Sequence, residues 1–270
     1  MQDSGHKTQK PMDRRAFLYK STAFLAGSVL GLNSFASALA QEGTQTNSLH
    51  KPRIALIIDD IGFSFSAARR FLDLRVPLTF SVLPRLPKSY ELALEIHSTG
   101  HEVMLHQPME PHDTGFDPGP GALYTGDKTE RITRVIEDNL SGMPLAIGVN
   151  NHMGSRFTEC PREIRDTLHT IKAKGLFFVD SLTSYRSKAF TVAKYLHMTA
   201  AYRNVFLDNV PDESAIISQL RLLENRARKF GSAVGIGHPF PETVRAIDAF
   251  SRDIKHPDVS LVHITKVLAT

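Results

Sequence analysis

The feature that most constrains the fold is a regular alternation of strand-like and helix-like segments. Apolar runs of four to eight residues bounded by turn residues are typical of buried strands, and apolar residues at helical spacing indicate amphipathic helices. The strand candidates are residues 54–59, 78–83, 102–106, 145–150, 176–180, 201–207, 233–237 and 259–264. The helix candidates are residues 64–74, 89–99, 129–141, 161–174, 187–197, 213–230 and 241–250. Repeated βα units of this number favour a closed α/β barrel of seven to eight mainly parallel strands in a single domain.

The first 40 residues are predicted to be an export signal. Arg14 and Arg15 precede a mildly apolar stretch, residues 23–32, and an Ala-Leu-Ala cleavage pattern ends at position 40. The paired arginines resemble a twin-arginine signal, and an ordinary secretory signal is the alternative. An uncleaved anchor is disfavoured because the apolar stretch is short and interrupted by glycine. We therefore expect a periplasmic protein with no stable membrane insertion after signal cleavage.

A polar linker, residues 41–52, separates this signal from the predicted barrel domain, residues 53–270. About 230 residues remain after cleavage, which suits one α/β domain with a substantial core. The formal charge of +4 is small, and no basic run with interleaved aromatics occurs, so we expect no nucleic-acid partner. No glycine-rich phosphate loop follows the first strand, which disfavours a nucleotide-binding fold.

Two adjacent carboxylates, Asp59 and Asp60, stand at the end of the first predicted strand. Neighbouring acids repel each other and shift each other's pKa, so such a pair usually serves a cation, a proton transfer or both. An N-cap on the following turn would use only one of them.

Further polar residues fall at the ends of later predicted strands. A single histidine in such a position is more often a satisfied polar residue than a ligand, but the carboxyl ends of barrel strands share one rim. The set as a whole predicts a single pocket lined by acids, amides and imidazoles. Its members are His106, Asn150, Asn151, His152, Asp180, Asp208 and His238.

Six ordered segments carry a resemblance to a known family. They are residues 57–60 (IIDD), 105–111 (LHQPMEP), 148–155 (GVNNHMGS), 178–181 (FVDS), 206–209 (FLDN) and 235–239 (GIGHP). Together they resemble the divergent polysaccharide deacetylase family, distant relatives of the NodB-type carbohydrate esterases. The resemblance implies a distorted (β/α) barrel that uses a divalent metal to remove acetyl groups from amino sugars.

The resemblance also implies roles for individual residues. Asp59 corresponds to the general base. Asp60 and His106 correspond to metal ligands, and the metal activates a water molecule as the nucleophile. His238 corresponds to the general acid, with Asp180 or Asp208 orienting its ring.

Two departures from the NodB-type pattern concern the metal shell. Glu110 stands where those enzymes have a second metal histidine, and Asn151-His152-Met153-Gly154 replaces their Arg-x-Pro-Tyr segment. We expect His152 to be the third ligand, with Glu110 as the alternative; otherwise Glu110 would support the ligands or the substrate, or be simply a loop acid. Asn150 and Asn151 would orient the substrate or support the shell, or simply form a tight turn. The ligand types favour zinc, although cobalt, nickel or manganese could occupy the same shell.

These residues predict a metal-dependent hydrolase of carbon–nitrogen bonds other than peptide bonds, acting on N-acetylated carbohydrate of the cell envelope. One alternative is a metal hydrolase of another amide or ester. Another is an envelope glycan-binding or assembly protein without turnover, although such a protein needs neither a base at Asp59 nor an acid at His238. A two-carboxylate glycosidase is disfavoured because adjacent residues are poorly placed to flank a sugar bond. With no Trp, the candidate sugar platforms are Phe63, Phe65, Phe240, Tyr124 and Tyr185.

Overall fold

The structure is a computed structural model that describes residues 51–253 and 259–268. The predicted export signal, residues 1–40, lies outside the described residues. The strands are β1 (Arg53–Ile61), β2 (Thr79–Val82), β3 (Glu102–Met109), β4 (Gly148–Met153), β5 (Phe177–Asp180), β6 (Ala200–Tyr202), β7 (Val205–Phe206), β8 (Ser232–Gly237) and β9 (Ser260–Val262). The α-helices are α1 (Phe65–Leu72), α2 (Ser89–Ser98), α3 (Thr129–Ser141), α4 (Pro161–Ala173), α5 (Ala189–Tyr195), α6 (Glu213–Phe230) and α7 (Pro241–Asp253), and short 3-10 turns span Phe157–Glu159 and Ile264–Lys266.

The strands form one curled parallel sheet in the order β6-β5-β4-β3-β2-β1-β8-β7. Every strand pair recorded in it is parallel. β9 pairs with the first three residues of β1. It lies on the same edge of β1 as β2, which pairs with later residues of that strand. The prediction of a distorted (β/α) barrel of mainly parallel strands is confirmed.

The predicted strand at residues 201–207 is divided in the structure into two short strands, β6 and β7. They are the two end strands of the curled sheet, and they lie on opposite sides of the barrel seam, the gap between those ends. β6 pairs with β5, whereas β7 pairs with β8. Between them, the Arg203 amide donates to Asp180 O (2.9 Å) and the Asn204 amide donates to Val234 O (2.8 Å). The described strands show no β6–β7 ladder, so the connecting peptide itself crosses the seam.

The core has two layers because alternate residues of a strand face opposite sides of a sheet. Ile54, Leu56 and Ile58 of β1 belong to a large cluster between the sheet and the helices. Ala55 and Ile57 belong to a smaller cluster, which also contains Met104, Val179 and Ile236 from other strands. The continuous apolar run in β1 is therefore explained by a strand that is covered on both faces.

The helices match their predicted positions closely, and α3 and α6 have the predicted bounds. Asp212 caps α6 by accepting a hydrogen bond from the Ala215 amide (3.0 Å), and Gly231, with φ of 83°, ends the helix directly before β8. Among the described helices, none has the length and apolar character needed to cross a membrane.

We expect Gly148→Ala to lower the free energy of unfolding by about 1–3 kcal/mol, because its added methyl group must fit into a closed contact. A Cβ at Gly148 would lie 2.3 Å from the ring of Phe177, its partner on β5. The control is Gly142→Ala, whose Cβ would approach nothing more closely than 3.6 Å and whose φ of −78° suits alanine. Urea unfolding followed by circular dichroism should separate the two variants, and equal midpoints would contradict the packing described here.

Candidate metal centre and active site

A β-bulge at the end of β1 places Asp59 and Asp60 on the same side of the sheet. Two residues, Asp59 and Asp60, separate Ile58 from Ile61 on β1, whereas one residue separates their partners on β2. Asp60 adopts the left-handed conformation, with φ of 58°. Adjacent residues of a regular strand point to opposite faces, and a bulge re-aims one of them. Both carboxylates consequently approach the same nitrogen, Nε2 of His106, at 3.6 Å for Asp59 Oδ2 and 3.2 Å for Asp60 Oδ1.

Asp60, His106 and His152 form a buried group that could hold a metal ion, with one potential ligand atom from each lying within 4.8 Å of the others. His152 Nδ1 lies 2.9 Å from Asp60 Oδ1 and 3.2 Å from His106 Nε2. The three residues come from β1, β3 and β4. The predicted ligands therefore meet at the carboxyl-terminal rim of the sheet.

Asn150 determines which nitrogen of His106 faces this group. Its amide nitrogen donates to Asp59 Oδ1 (2.8 Å), and its Oδ1 lies 2.7 Å from His106 Nδ1. Because Oδ1 can only accept, Nδ1 of His106 carries the proton. Nε2 therefore points toward Asp60 and His152, the orientation expected of a metal-binding imidazole with a supporting acceptor behind it.

The donor set fits a divalent metal. Neither oxygen of buried Asp60 receives a hydrogen bond of ordinary geometry in the described part of the chain. Three atoms face one another here: Asp60 Oδ1, His106 Nε2 and His152 Nδ1. A proton could bridge only two of them, whereas a metal ion could bind all three. One carboxylate and two imidazoles are ligands that zinc accepts, with a position left for another group.

The electrostatics of the group also favour a cation. Burial raises the pKa of Asp60, but the imidazoles of His152 and His106 outweigh it and hold that pKa well below the usual value. Burial lowers the pKa of His152, which favours the neutral form that binds metals. Burial also opposes charge on His106, yet Asp59 and Asp60 raise its pKa. Two carboxylates therefore favour positive charge at His106 Nε2.

His238 lies on the other side of Asp60, with Nε2 4.0 Å from Asp60 Oδ2. Its Nδ1 is 2.9 Å from Asp208 Oδ1. Asp208 Oδ2 also accepts from the His238 amide (2.5 Å) and from Thr243 Oγ1 (2.7 Å). Burial opposes charge on His238, but Asp208, with smaller contributions from Asp60 and Asp59, raises its pKa to about 9. Asp208 thus favours a protonated ring whose Nε2 faces the candidate metal site.

Asp208, and not Asp180, contacts His238. The carboxylate of Asp180 accepts hydrogen bonds from the Leu182 amide (2.9 Å), Ser187 Oγ (2.7 Å) and the Phe190 amide (3.2 Å). Asp180 therefore stabilises the loop after β5 and the beginning of α5. Burial holds the pKa of Asp180 above its usual value, whereas the neighbouring imidazoles hold the pKa of Asp60 below its usual value.

Glu110 lies outside the ligand group. One of its carboxylate oxygens accepts from the Thr125 amide (2.7 Å), and the other is 3.2 Å from Arg156 Nη1. Asn151 makes hydrogen bonds with the backbone. Its Oδ1 accepts from the Ser181 amide (2.8 Å) and its Nδ2 donates to Met153 O (2.8 Å). Of the two residues considered as third ligand, only His152 joins Asp60 and His106.

Sequence reasoning missed several residues that contact the predicted ones. Thr243 holds Asp208 from inside α7, where no strand-end signal could mark it. The ring of Phe206 lies 5.3 Å from the ring of His238 and nearly perpendicular to it. The ring of Phe240, one of the predicted sugar platforms, lies 6.0 Å from the ring of His238 and is tilted relative to it. Arg203, at the seam, is the third omission. Its isolated position in the sequence gave no motif to find.

Comparisons with known proteins agree with this architecture. The family model described as divergent polysaccharide deacetylase matches residues 56–268. The uncharacterized protein YibQ of Escherichia coli is 31% identical over 219 residues, which cover 80% of this chain and 67% of YibQ. An uncharacterized protein of Haemophilus influenzae is 29% identical over 221 residues, which cover 80% of this chain and 76% of that protein.

Solved structures share the fold. A crystal structure of an uncharacterized Agrobacterium tumefaciens protein superposes with a TM-score of 0.74 at 25% identity, covering 83% of this chain and 91% of the other. The catalytic domain of a peptidoglycan N-acetylglucosamine deacetylase from Eubacterium rectale superposes with a TM-score of 0.53 at 15% identity, covering 83% and 93%. Because the family model spans the sheet from β1 to β9 and every segment that supplies the cluster, this chain belongs to the divergent polysaccharide deacetylase family.

Proposed function

We propose that this protein is a metal-dependent hydrolase that removes acetyl groups from N-acetylated carbohydrate of the cell envelope. The observation that carries the proposal is the grouping of three buried ligand atoms within 4.8 Å, with a carboxylate and an imidazole beside them. Asp59 Oδ2 lies 3.6 Å from His106 Nε2, and His238 Nε2 lies 4.0 Å from Asp60 Oδ2. Metal-dependent amide hydrolysis uses three such components: a Lewis acid, a base and an acid.

In this proposal Asp60, His106 and His152 hold the metal. When bound there, a divalent ion such as zinc would lower the pKa of a water molecule and polarise the acyl oxygen of the substrate. Asn150 keeps His106 in the orientation for binding by accepting the proton of Nδ1. The low pKa of Asp60 and the neutral state of His152 keep both ligands free of competing protons near neutral pH.

Asp59 is the proposed general base. Its Oδ1 is engaged by the amide of Asn150, while Oδ2 faces the ligand group and is free to take a proton from the attacking water. Since Asn150 bonds both Asp59 and His106, one side chain aligns the base with the metal ligands.

His238 is the proposed general acid. Asp208 accepts the proton of Nδ1, so Nε2 presents its proton toward the space beside Asp60, where it would pass to the leaving nitrogen. Phe206 and Phe240 flank the ring and would limit access of water to it. A binding protein without turnover has no use for this polarised imidazole, and for that reason we favour an enzyme.

The choice of substrate rests on family membership and on the predicted export signal. The family is named for deacetylation of polysaccharide, and an exported protein meets the glycans of the envelope. The Eubacterium rectale enzyme of the same fold is named for N-acetylglucosamine in peptidoglycan. An N-acetylated amino sugar is therefore the first substrate class to test.

Incubation of the zinc-loaded protein with N-acetylated chito-oligomers and with peptidoglycan fragments should release acetate. Asp59→Asn should lower kcat by about 10²–10⁴-fold because it removes the base, while the metal content stays unchanged. Enzymatic determination of acetate and elemental analysis measure the two effects. Absence of acetate release from every glycan by the fully loaded wild-type protein would overturn the proposal.

The metal content should be close to stoichiometric in the wild-type protein and should disappear in Asp60→Ala, His106→Ala and His152→Ala, because each variant removes one ligand from the group. Glu110→Gln is the matched control and should keep the metal, since Glu110 contacts Thr125 and Arg156. Elemental analysis after dialysis against zinc and buffer exchange measures both. Full occupancy in His152→Ala, or loss in Glu110→Gln, would reassign the third ligand.

The pH profile of kcat/KM should distinguish Asp208 from Asp180. A general acid works while protonated, so activity falls as the pH rises through the pKa of His238. Asp208 raises that pKa, and Asp208→Asn should therefore move the alkaline limb to lower pH. Asp180→Asn should leave the limb in place because Asp180 bonds the loop and α5 instead. An alkaline limb unchanged in Asp208→Asn would remove His238 from the role of acid.

A further inference from the structure

Arg203 stands at the rim of the candidate site, one aromatic ring away from His238. Its Nε donates to Ser181 O (2.6 Å) and its Nη2 donates to Leu182 O (2.7 Å), directly beyond the carboxyl end of β5. Its guanidinium lies 5.0 Å from the centre of the Phe206 ring, which in turn lies 5.3 Å from the ring of His238. The cation and the proposed acid thus both pack against the same phenyl ring.

The charge of Arg203 lacks a close partner. No carboxylate within the described ranges comes within 4.0 Å of its guanidinium, although the side chain is half-buried. Both of its hydrogen-bond acceptors are neutral carbonyl oxygens. Burial lowers the pKa of Arg203 to about 10, and the more distant carboxylates of Asp180 and Asp59 offset this effect only in part. Partly buried cations are usually paired with an anion.

Arg203 also retains hydrogen-bonding capacity. A guanidinium has five N–H donors, and two of the three nitrogens of Arg203 are engaged by the carbonyls. Nη1 makes no hydrogen bond in the described part of the chain and is not buried there, so it contacts solvent. Its donors, with the remaining donor of Nη2, suit the two oxygens of a carboxylate.

We infer that Arg203 binds a carboxylate carried by the glycan substrate, next to the sugar whose acetamido group reaches His238. The inference rests on the proposed function and adds a substrate class to it: acidic N-acetylated glycans over neutral ones. Phe206 would contact the apolar face of the sugar between the two sites. Arg186, in the loop between β5 and α5, offers no equivalent, because Glu159 already pairs with it at 2.9 Å.

The first test compares three ligands that differ at one position. They are the disaccharide N-acetylglucosaminyl-N-acetylmuramic acid, its methyl ester, and N,N′-diacetylchitobiose. Titration calorimetry with zinc-loaded Asp59→Asn protein measures affinity without turnover. We expect the acid to bind about tenfold or more tightly than either neutral ligand, as for a hydrogen bond to a charged group. Equal affinities for the acid and its ester would overturn the inference.

Variants of Arg203 test whether this residue causes the preference for the acidic ligand. Arg203→Gln should abolish the preference for the acid, Arg203→Lys should retain part of it, and the control Arg186→Gln should leave it intact. A preference that survives in Arg203→Gln would place the carboxylate elsewhere, including on the metal, and would overturn the inference. Equal weakening of all three ligands would show a purely structural role and would also overturn it. If the glutamine variant does not fold, an undiminished preference in Arg203→Lys is the contradicting result.

The two proposals can fail separately. Arg203-dependent binding of the acid without acetate release from any glycan would overturn the deacetylase and leave the carboxylate site standing. Acetate release at equal kcat/KM from acidic and neutral glycans would overturn the carboxylate site alone.

Discussion

The arrangement of the site depends on the burial of two neighbouring carboxylates, Asp59 and Asp60, each only 2% exposed. Placing two like charges side by side away from water is unfavourable unless other groups compensate them. Around them lie two imidazoles from β3 and β4, an amide from β4 and a third imidazole after β8. Each compensating group is held in turn by another, as Asp208 holds His238. These acids, the three imidazoles and the amide of Asn150 therefore form one electrostatic unit.

The bulge in β1 is what makes this unit possible. Without it, the pleat would direct one acid into the barrel and the other toward the helices. The bulge requires the left-handed conformation at Asp60, which aspartate tolerates better than most residues. Gly62, with φ of 140°, then lets the chain leave the strand where a Cβ would meet Leu86 at 2.9 Å. A backbone irregularity over a few residues thus determines the positions of the proposed base and the proposed metal ligand.

The sequence indicated much of this arrangement because strand ends and helix faces leave periodic signals. Parallel strands place their carboxyl ends together, so the acids and histidines of the rim could be grouped from the sequence alone. The bulge, the division of residues 201–207 at the seam and the choice of Asp208 over Asp180 could not be derived. Each depends on strand register or on a contact across the barrel, and local propensity carries no information about either. Thr243 and Arg203 escaped notice for the same reason.

The seam between β6 and β7 separates two properties of the pocket. The ligand group is built on β1, β3 and β4, which parallel ladders through β2 join into one stretch of the sheet. The wall beside His238 is closed by a single covalent segment that pairs with β5 at one end and with β8 at the other. Extra residues between Tyr202 and Val205 would widen the mouth while the ladders that hold the metal ligands stay intact. Evolution of this fold can therefore change the width of the ligand that enters without changing the reaction performed on it.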